Sequence, residues 1–307
     1  MSTNKRLSGL IAAPFTPMDK DGAVRIEVVE QYASLLIRSG VQGVFICGTT
    51  GEGASLTINE RKSLAEKWVK EAKGRLKVIV HVGSTCQKDS IELSIHAQST
   101  GADAIASIAP YFFKPANVDD LVRFFSPIAN SAPELPFYYY NMPSMTGVDL
   151  PVDKFLLEGK KEIPSLAGVK FTHNNLMEMN QCIALNNGEF EVLHGYDEIL
   201  ICGLALGATA AVGSTYNYAA PVYNELVDAF MKGDLIRARE LQQYSVEIVK
   251  VIIKHGGGVR GGKAIMKTIG INCGDCRSPI TPFTQEEYNQ IKEELREINF
   301  FKRIDIK

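Results

Sequence analysis

No stretch of the 307 residues approaches the roughly 18 consecutive apolar positions that a membrane-spanning helix needs. Met1–Arg6 is polar, and the apolar segment behind it is interrupted at Pro14 and Pro17, which argues against a secretory leader. Excess charge of either sign is also missing. Lys and Arg number 33 against 35 Asp and Glu, a formal net charge of −2, so no strong field draws nucleic acid or an anionic membrane. Cysteine is sparse: six thiols, at Cys47, Cys86, Cys182, Cys202, Cys273 and Cys276, lie mostly in apolar surroundings where a thiol packs as a small hydrophobe. A reduced, cytoplasmic setting follows from that usage. These exclusions leave a small molecule as the expected partner.

What the chain does contain is 45% hydrophobic residues, ample for a large core. They are grouped in eight short, β-branched apolar runs: Leu7–Phe15, Val41–Gly48, Leu76–Gly83, Ala102–Pro110, Leu135–Pro143, Leu166–Thr172, Phe190–Asp197 and Ala208–Ser214. Near-continuous apolarity marks parallel strands covered on both faces, and each gap between runs is long enough for a helix. Thr57 with Glu60 forms a capping box ahead of an amphipathic segment over Lys62–Lys73, with Leu56 placed to staple its start. Eight strand–helix units predict a closed (β/α)8 TIM barrel; an open doubly wound sheet is the alternative. Beyond the eighth run only helices are predicted, over Pro221–Lys232, Asp234–His255, Lys263–Ile269 and Thr284–Asn299, the last opened by a Thr284/Glu287 capping box. The expected division is a catalytic barrel over residues 1–232 and a C-terminal helical extension over 233–307.

Chemistry on such a barrel belongs at the C-terminal ends of the strands. Polar residues gather at those tips. Lys170 closes the apolar run Leu166–Val169 and precedes Phe171; burial disfavours an ammonium, and a free amine there could attack a ketone to form an iminium, an electron sink for carbon–carbon cleavage. A strand-end lysine held in a salt bridge is the other reading. Gly48-Thr49-Thr50-Gly51-Glu52 suits a tight turn whose converging N–H groups and hydroxyls cradle a carboxylate, or simply a turn. In Tyr138-Tyr139-Tyr140-Asn141-Met142-Pro143, alternation sets Tyr138 and Tyr140 on one face and Tyr139 on the other. A phenol in the barrel mouth could shuttle a proton, or the pair could be core aromatics.

Three other patterns carry less. Gly257–Lys263 reads GGVRGGK but is followed by Ala264 instead of Ser or Thr, within a helical stretch, so a phosphate loop is not expected. Cys273-Gly-Asp-Cys276 is a lone CxxC with no second pair, read as a structural loop. His81, His173 and His194 lie near strand ends, which raises a metal-dependent aldolase, yet no HxH or HxxxH spacing accompanies them. No metal is expected.

Taken in order and spacing, GTTGE (48–52), YYYNMP (138–143), GVKFT (168–172) and GSTYNY (213–218) resemble the N-acetylneuraminate lyase subgroup of the dihydrodipicolinate synthase/N-acetylneuraminate lyase family, across essentially the whole chain. The resemblance implies a homotetramer of barrels and a class I aldolase without cofactor. It implies that Lys170 forms the Schiff base with a pyruvate-type keto acid, that Tyr140 relays the proton, and that Thr49 and Thr50 hold the keto-acid carboxylate, with Thr172 beside them. In one branch a neighbouring subunit lends a tyrosine from the loop after strand 4; Tyr111 stands in that loop here. Dihydrodipicolinate synthases carry an arginine five residues after the catalytic tyrosine, where this chain has Met145, and a methionine cannot form a charge-assisted pair with a carboxylate. Gly195-Tyr196-Asp197-Glu198 resembles instead the lyase motif that grips the polyol tail of sialic acid, with Ser214 completing that end of the pocket. Acceptors of this kind match a chain of hydroxyl donors, although Asp197 and Glu198 could equally begin the next helix. The implied reaction is reversible cleavage of N-acetylneuraminate to N-acetylmannosamine and pyruvate. Alternatives are another keto-deoxy sugar acid, a metal-dependent aldolase, or a non-catalytic barrel that binds a keto acid.

Overall fold

The computed structural model describes residues 6–304. Eight parallel strands pair in chain order and close on themselves: β1 (Gly9–Ala12), β2 (Gly43–Ile46), β3 (Lys77–His81), β4 (Ala104–Ile108), β5 (Phe137–Asn141), β6 (Leu166–Phe171), β7 (Glu191–His194) and β8 (Ala210–Gly213). Closure runs in register from Gly9↔Ala210 to Ala12↔Gly213. Each strand lies inside the apolar run that predicts it, trimmed where the ladder ends, and the closed ring removes the open-sheet alternative. The fold is a (β/α)8 barrel followed by helices.

The helices between strands are α1 (Val28–Arg38), α2 (Ile58–Ala72), α3 (Gln87–Thr100), α4 (Val118–Asn130), the short α5 (Pro143–Thr146), α6 (Val152–Glu162), α7 (Leu176–Ala184) and α8 (Leu200–Leu206). After β8 come α9 (Tyr216–Met231), α10 (Leu235–Lys254), α11 (Gly257–Thr268), α12 (Gln285–Glu297) and α13 (Phe300–Arg303). Both capping boxes form: the Thr57 hydroxyl accepts from the Glu60 amide and Glu60 reaches back, and Thr284 with Glu287 does the same. Two boundaries differ from the sequence reading. Pro221 does not open α9 but sits one turn inside it, next to a kink at Ala219 that accommodates the missing N–H. The GGVRGGK stretch, with its four glycines, is helical throughout; α11 begins at Gly257, six residues before the expected start, because its buried face packs. Among the described residues no helix is long and apolar enough to cross a membrane.

Strand alternation divides the apolar side chains into two cores. Ile11, Phe45, Ile79, Ala106, Tyr138, Tyr140, Leu193 and Val212 fill the barrel interior, while Tyr139, Val169, Phe171 and Val192 face the helix layer. Tyr138 and Tyr140 thus share the inner face, as their spacing predicts. In the outer layer the ring of Tyr32 (α1) meets that of Trp68 (α2) edge-on at 5.5 Å. The Tyr32 hydroxyl donates to Asn217 Oδ1 at 2.7 Å and accepts from the Phe15 amide, fastening α1 and α9 to the end of β1. Each buried ring of this kind is worth roughly 1.5–3 kcal/mol in water excluded.

Removing the α2 cap by Thr57→Ala is expected to cost about 1 kcal/mol, read as a lower urea midpoint at fixed protein concentration with unchanged slope.

Candidate active site

Lys170 is the inward residue at the C-terminal end of β6. It stands in register with Tyr140 on β5 and Leu193 on β7 and is 5% exposed. Its Nζ lies 3.8 Å from the centre of the Tyr140 ring and 4.3 Å from that of Phe45. No carboxylate lies within 4 Å of it among the described residues, so the salt-bridge reading of this lysine does not apply. Two aromatic faces hold the head of the side chain instead. Those rings meet edge to face at 5.4 Å.

The Tyr140 hydroxyl donates to Met142 Sδ at 3.0 Å and lies 3.3 Å from Thr49 Oγ1. A lysine head, a phenol and the first threonine of the β2 loop therefore form one continuous constellation. The loop itself is a tight turn, closed by Glu52 N–H to Thr49 O at 3.0 Å and Gly53 N–H to Gly48 O at 3.0 Å. The amides of Thr49 and Thr50 have no protein acceptor among the described residues, and the half-buried Thr50 hydroxyl makes no hydrogen bond there either. Donors without partners at a turn fit a carboxylate.

Beneath that turn lies an ion pair. Glu52 is buried with a left-handed backbone (φ 54°), and its Oε1 is 2.6 Å from Lys263 Nζ, while Oε2 accepts from the Arg277 amide at 2.8 Å. Lys263 also donates to the Asp275 carbonyl at 2.8 Å. The lysine of the GGVRGGK sequence is therefore engaged in bracing the β2 turn. Cys276 and the buried Cys273 are free thiols in the loop that carries Asp275, and burial pushes them up to about 11 and about 12 respectively.

The tips of β6, β7 and β8 meet at Asp197. This residue opens a short 3-10 turn (Asp197–Ile199) ahead of α8, yet its carboxylate points into the molecule. Oδ2 accepts from the Thr215 amide at 2.8 Å and hydroxyl at 2.6 Å; the Asp197 carbonyl accepts from Gln242 of α10. Oδ1 is buried without a partner, as is the hydroxyl of Thr172 after β6. Glycines make room for both: a Cβ on Gly213 would overlap Asp197 Oδ1, and one on Gly195 would overlap Thr172 Oγ1. Burial raises the Asp197 carboxyl from an ordinary 3.8 to about 6, against the lowering effect of the Thr215 bonds. Glu198 is half-buried, and the hydroxyl of half-buried Ser214 faces Gly258 of α11.

Three of the five histidines read as structural. His96 contacts Glu66 and His255 contacts Glu294, each at 2.9 Å; His194 is buried outside the barrel against Gly203. No grouping of three His, Cys, Asp or Glu side chains among the described residues could hold a metal ion. Phe45, Arg61 and Gln242 do not stand out in the sequence as site residues, whereas Thr215 falls in the GSTYNY stretch at the eighth tip. Strand alternation does signal Phe45; nothing local signals Arg61 or Gln242.

A cavity of about 600 Å³ adjoins the carboxylate turn, lined by Thr49, His81, Ser84, Tyr111 and Met145 among others. Its rim runs into the exposed aromatics Tyr111, Phe112 and Phe113.

Residues 6–298 match the dihydrodipicolinate synthetase family. The chain belongs to this family. It is 44% identical to the N-acetylneuraminate lyase of Gallus gallus over 97% of this chain and 98% of that one. Among solved structures, the N-acetylneuraminate lyase of Proteus mirabilis superimposes with a TM-score of 0.94 at 41% identity, covering 96% of this chain and 100% of that one. A catalytic-lysine mutant of the sialic acid aldolase of Ruminococcus gnavus gives 0.91 at 30% identity, covering 97% of each chain.

Two outcomes follow. Lys263→Met strands the Glu52 carboxylate and is expected to lower stability by about 3–5 kcal/mol, whereas the double variant with Glu52→Gln recovers most of the loss in denaturant titration. Between about pH 4 and 6 the folded protein keeps a proton on Asp197 that the unfolded chain has released. Stability from this group therefore falls as pH rises through that window, by about 3 kcal/mol, and Asp197→Asn is expected to flatten the dependence in melts at stepped pH.

Proposed function

We propose that this protein is a class I aldolase that reversibly cleaves N-acetylneuraminate to N-acetylmannosamine and pyruvate. The observation that carries this is Lys170, buried without a counter-ion and resting on the Tyr140 ring, whose hydroxyl reaches Thr49. The similarity to N-acetylneuraminate lyases over nearly the full length supports the choice of substrate.

Open-chain substrate binds with its carboxylate on the amides and hydroxyls of Thr49 and Thr50. The amine of Lys170 adds to C2, a proton passes from nitrogen to the new hydroxyl, and that hydroxyl leaves as water with a proton drawn from solvent, giving an iminium. Tyr140, together with the substrate carboxylate, takes the proton from the 4-hydroxyl, and the C3–C4 electron pair moves into the iminium. The aldehyde of N-acetylmannosamine leaves, and the enamine of pyruvate stays on Lys170. Protonation at C3 and hydrolysis release pyruvate and the free amine. The positively charged iminium is what makes C3–C4 cleavage feasible near neutral pH.

Gly195, Asp197, Glu198 and Ser214 receive the hydroxylated tail in this reading, with Thr172 between the tail and the keto acid. The unpartnered Asp197 Oδ1 and Thr172 hydroxyl are acceptors for such a chain. Met145, which is exposed, offers no charge to a second carboxylate, so a sugar chain fits better than a dicarboxylate partner. The reading extends to a cytoplasmic homotetramer. Its exposed aromatics at residues 111–113 give a second copy an apolar surface beside the cavity, with Tyr111 nearest the carboxylate turn. A catalytic barrel over residues 1–232 and a helical extension over 233–307 belong to the same reading; α9 ends at Met231, followed by left-handed Gly233.

Incubation with pyruvate and borohydride, followed by peptide mapping, is expected to give a reduced pyruvyl adduct on Lys170 and none in Lys170→Ala. A folded wild-type protein without adduct removes the Schiff-base mechanism. Parallel assays on shorter keto-deoxy sugar acids are expected to favour N-acetylneuraminate, and an equal rate on a shorter acid shifts the substrate assignment.

A further inference from the structure

We propose that His81 is a positioning residue for the keto-acid carboxylate, holding the turn that presents Thr49 and Thr50. The proposal rests on the carboxylate role of that turn given above. His81 ends β3 inside the barrel and is 6% exposed. Both ring nitrogens are engaged by backbone from two other strand ends. Nε2 is 3.3 Å from the Ile108 amide, which can only donate, so Nε2 accepts. The proton must then sit on Nδ1, which lies 3.0 Å from the Cys47 carbonyl and donates to it.

That carbonyl is the key to the turn. Cys47 is a non-glycine residue in the left-handed region (φ 57°), immediately before Gly48-Thr49-Thr50. Left-handed backbone at such a residue is costly and persists only where neighbours over-determine it. Two do so here. Gly53 leaves space for the Cys47 carbonyl, which a Cβ at that position would overlap, and His81 Nδ1–H fixes the direction in which the carbonyl points. If the carbonyl is released, Cys47 can return to a right-handed conformation, and the amides of Thr49 and Thr50 that follow turn away from the site.

His81 is itself braced. Arg61 of α2, 4% exposed, donates from its two terminal nitrogens to the His81 carbonyl at 2.6 Å and the Gly83 carbonyl at 3.0 Å. The imidazole meets the Tyr140 ring edge to face at 5.8 Å and lies 6.0 Å from the Phe45 ring, the two rings beneath Lys170. Burial, and after it the Arg61 charge, holds the imidazole well below its ordinary range, so it is neutral and Nε2 is free to accept.

Two conservative replacements separate the ring nitrogens. The amide of His81→Asn reaches the Nδ1 position and keeps a donor for Cys47, whereas that of His81→Gln reaches the Nε2 position and loses it. In purified full-length protein, His81→Gln is expected to raise the pyruvate concentration for half-maximal borohydride trapping on Lys170, and KM for the cleavage substrate, by about tenfold, the equivalent of one hydrogen bond, with kcat within about threefold. His81→Asn is expected within about threefold of wild type on all three. Equal effects of the two variants, or a fall in kcat with KM unchanged, overturn the role. If neither variant folds, wild-type protein labelled with 15N-histidine decides. One imidazole is expected as the neutral Nδ1–H tautomer with signals that shift on adding pyruvate, and the absence of such a ring overturns the proposal. Wild type without any adduct removes the aldolase reading itself; an adduct in wild type with unchanged KM in His81→Gln removes the role of His81 alone.

Discussion

The register of a parallel ladder in a closed ring is the constraint on which the site depends. Tyr140 stands opposite Lys170, Lys170 opposite Leu193, and Ile108 opposite Tyr140. Because side chains alternate, a slip of one residue in β5 or β6 would send the phenol or the amine outward among the helices. Closure between β1 and β8 leaves no free edge at which such a slip could relax. The head of Lys170 therefore meets two aromatic faces as a consequence of how the barrel is paired.

Polar groups inside such a barrel need bracing from outside it. The helices after β8 provide much of this: Lys263 of α11 neutralises Glu52 beneath the carboxylate turn, and Gln242 of α10 binds the Asp197 carbonyl. Arg61, from α2, clamps the end of β3. Each brace satisfies a buried group that would otherwise carry its full desolvation cost, and each comes from a segment distant in sequence from the residue that it holds. Among the buried atoms left unpaired, Asp197 Oδ1 and the Thr172 hydroxyl lie at the tips of the strands. Orphaned acceptors at those tips are what a hydroxylated ligand would complete.

Much of this was legible along the chain. The strand runs are apolar because parallel strands are covered on both faces, and both capping boxes are local four-residue patterns, so neither needs the fold to be recognised. Lys170, the GTTGE turn and the Tyr138/Tyr140 face follow from strand position and alternation alone. The kink at Ala219 and the early start of α11 were not legible, since a proline one turn into a helix and a glycine-rich helix both run against propensity and are settled by packing. The pairing of Lys263 with Glu52 joins positions 211 residues apart (263 minus 52), and no local pattern signals it.

By itself, the sequence determined the fold class and the strand tips where polar residues gather, because these depend on periodicity and on residue type within one element. Tertiary structure alone decided which groups are left with free valences. Whether an Asp197 oxygen, a Thr49 amide or a His81 nitrogen is satisfied depends on distances to residues on other strands and helices, and these exist only once the barrel has closed.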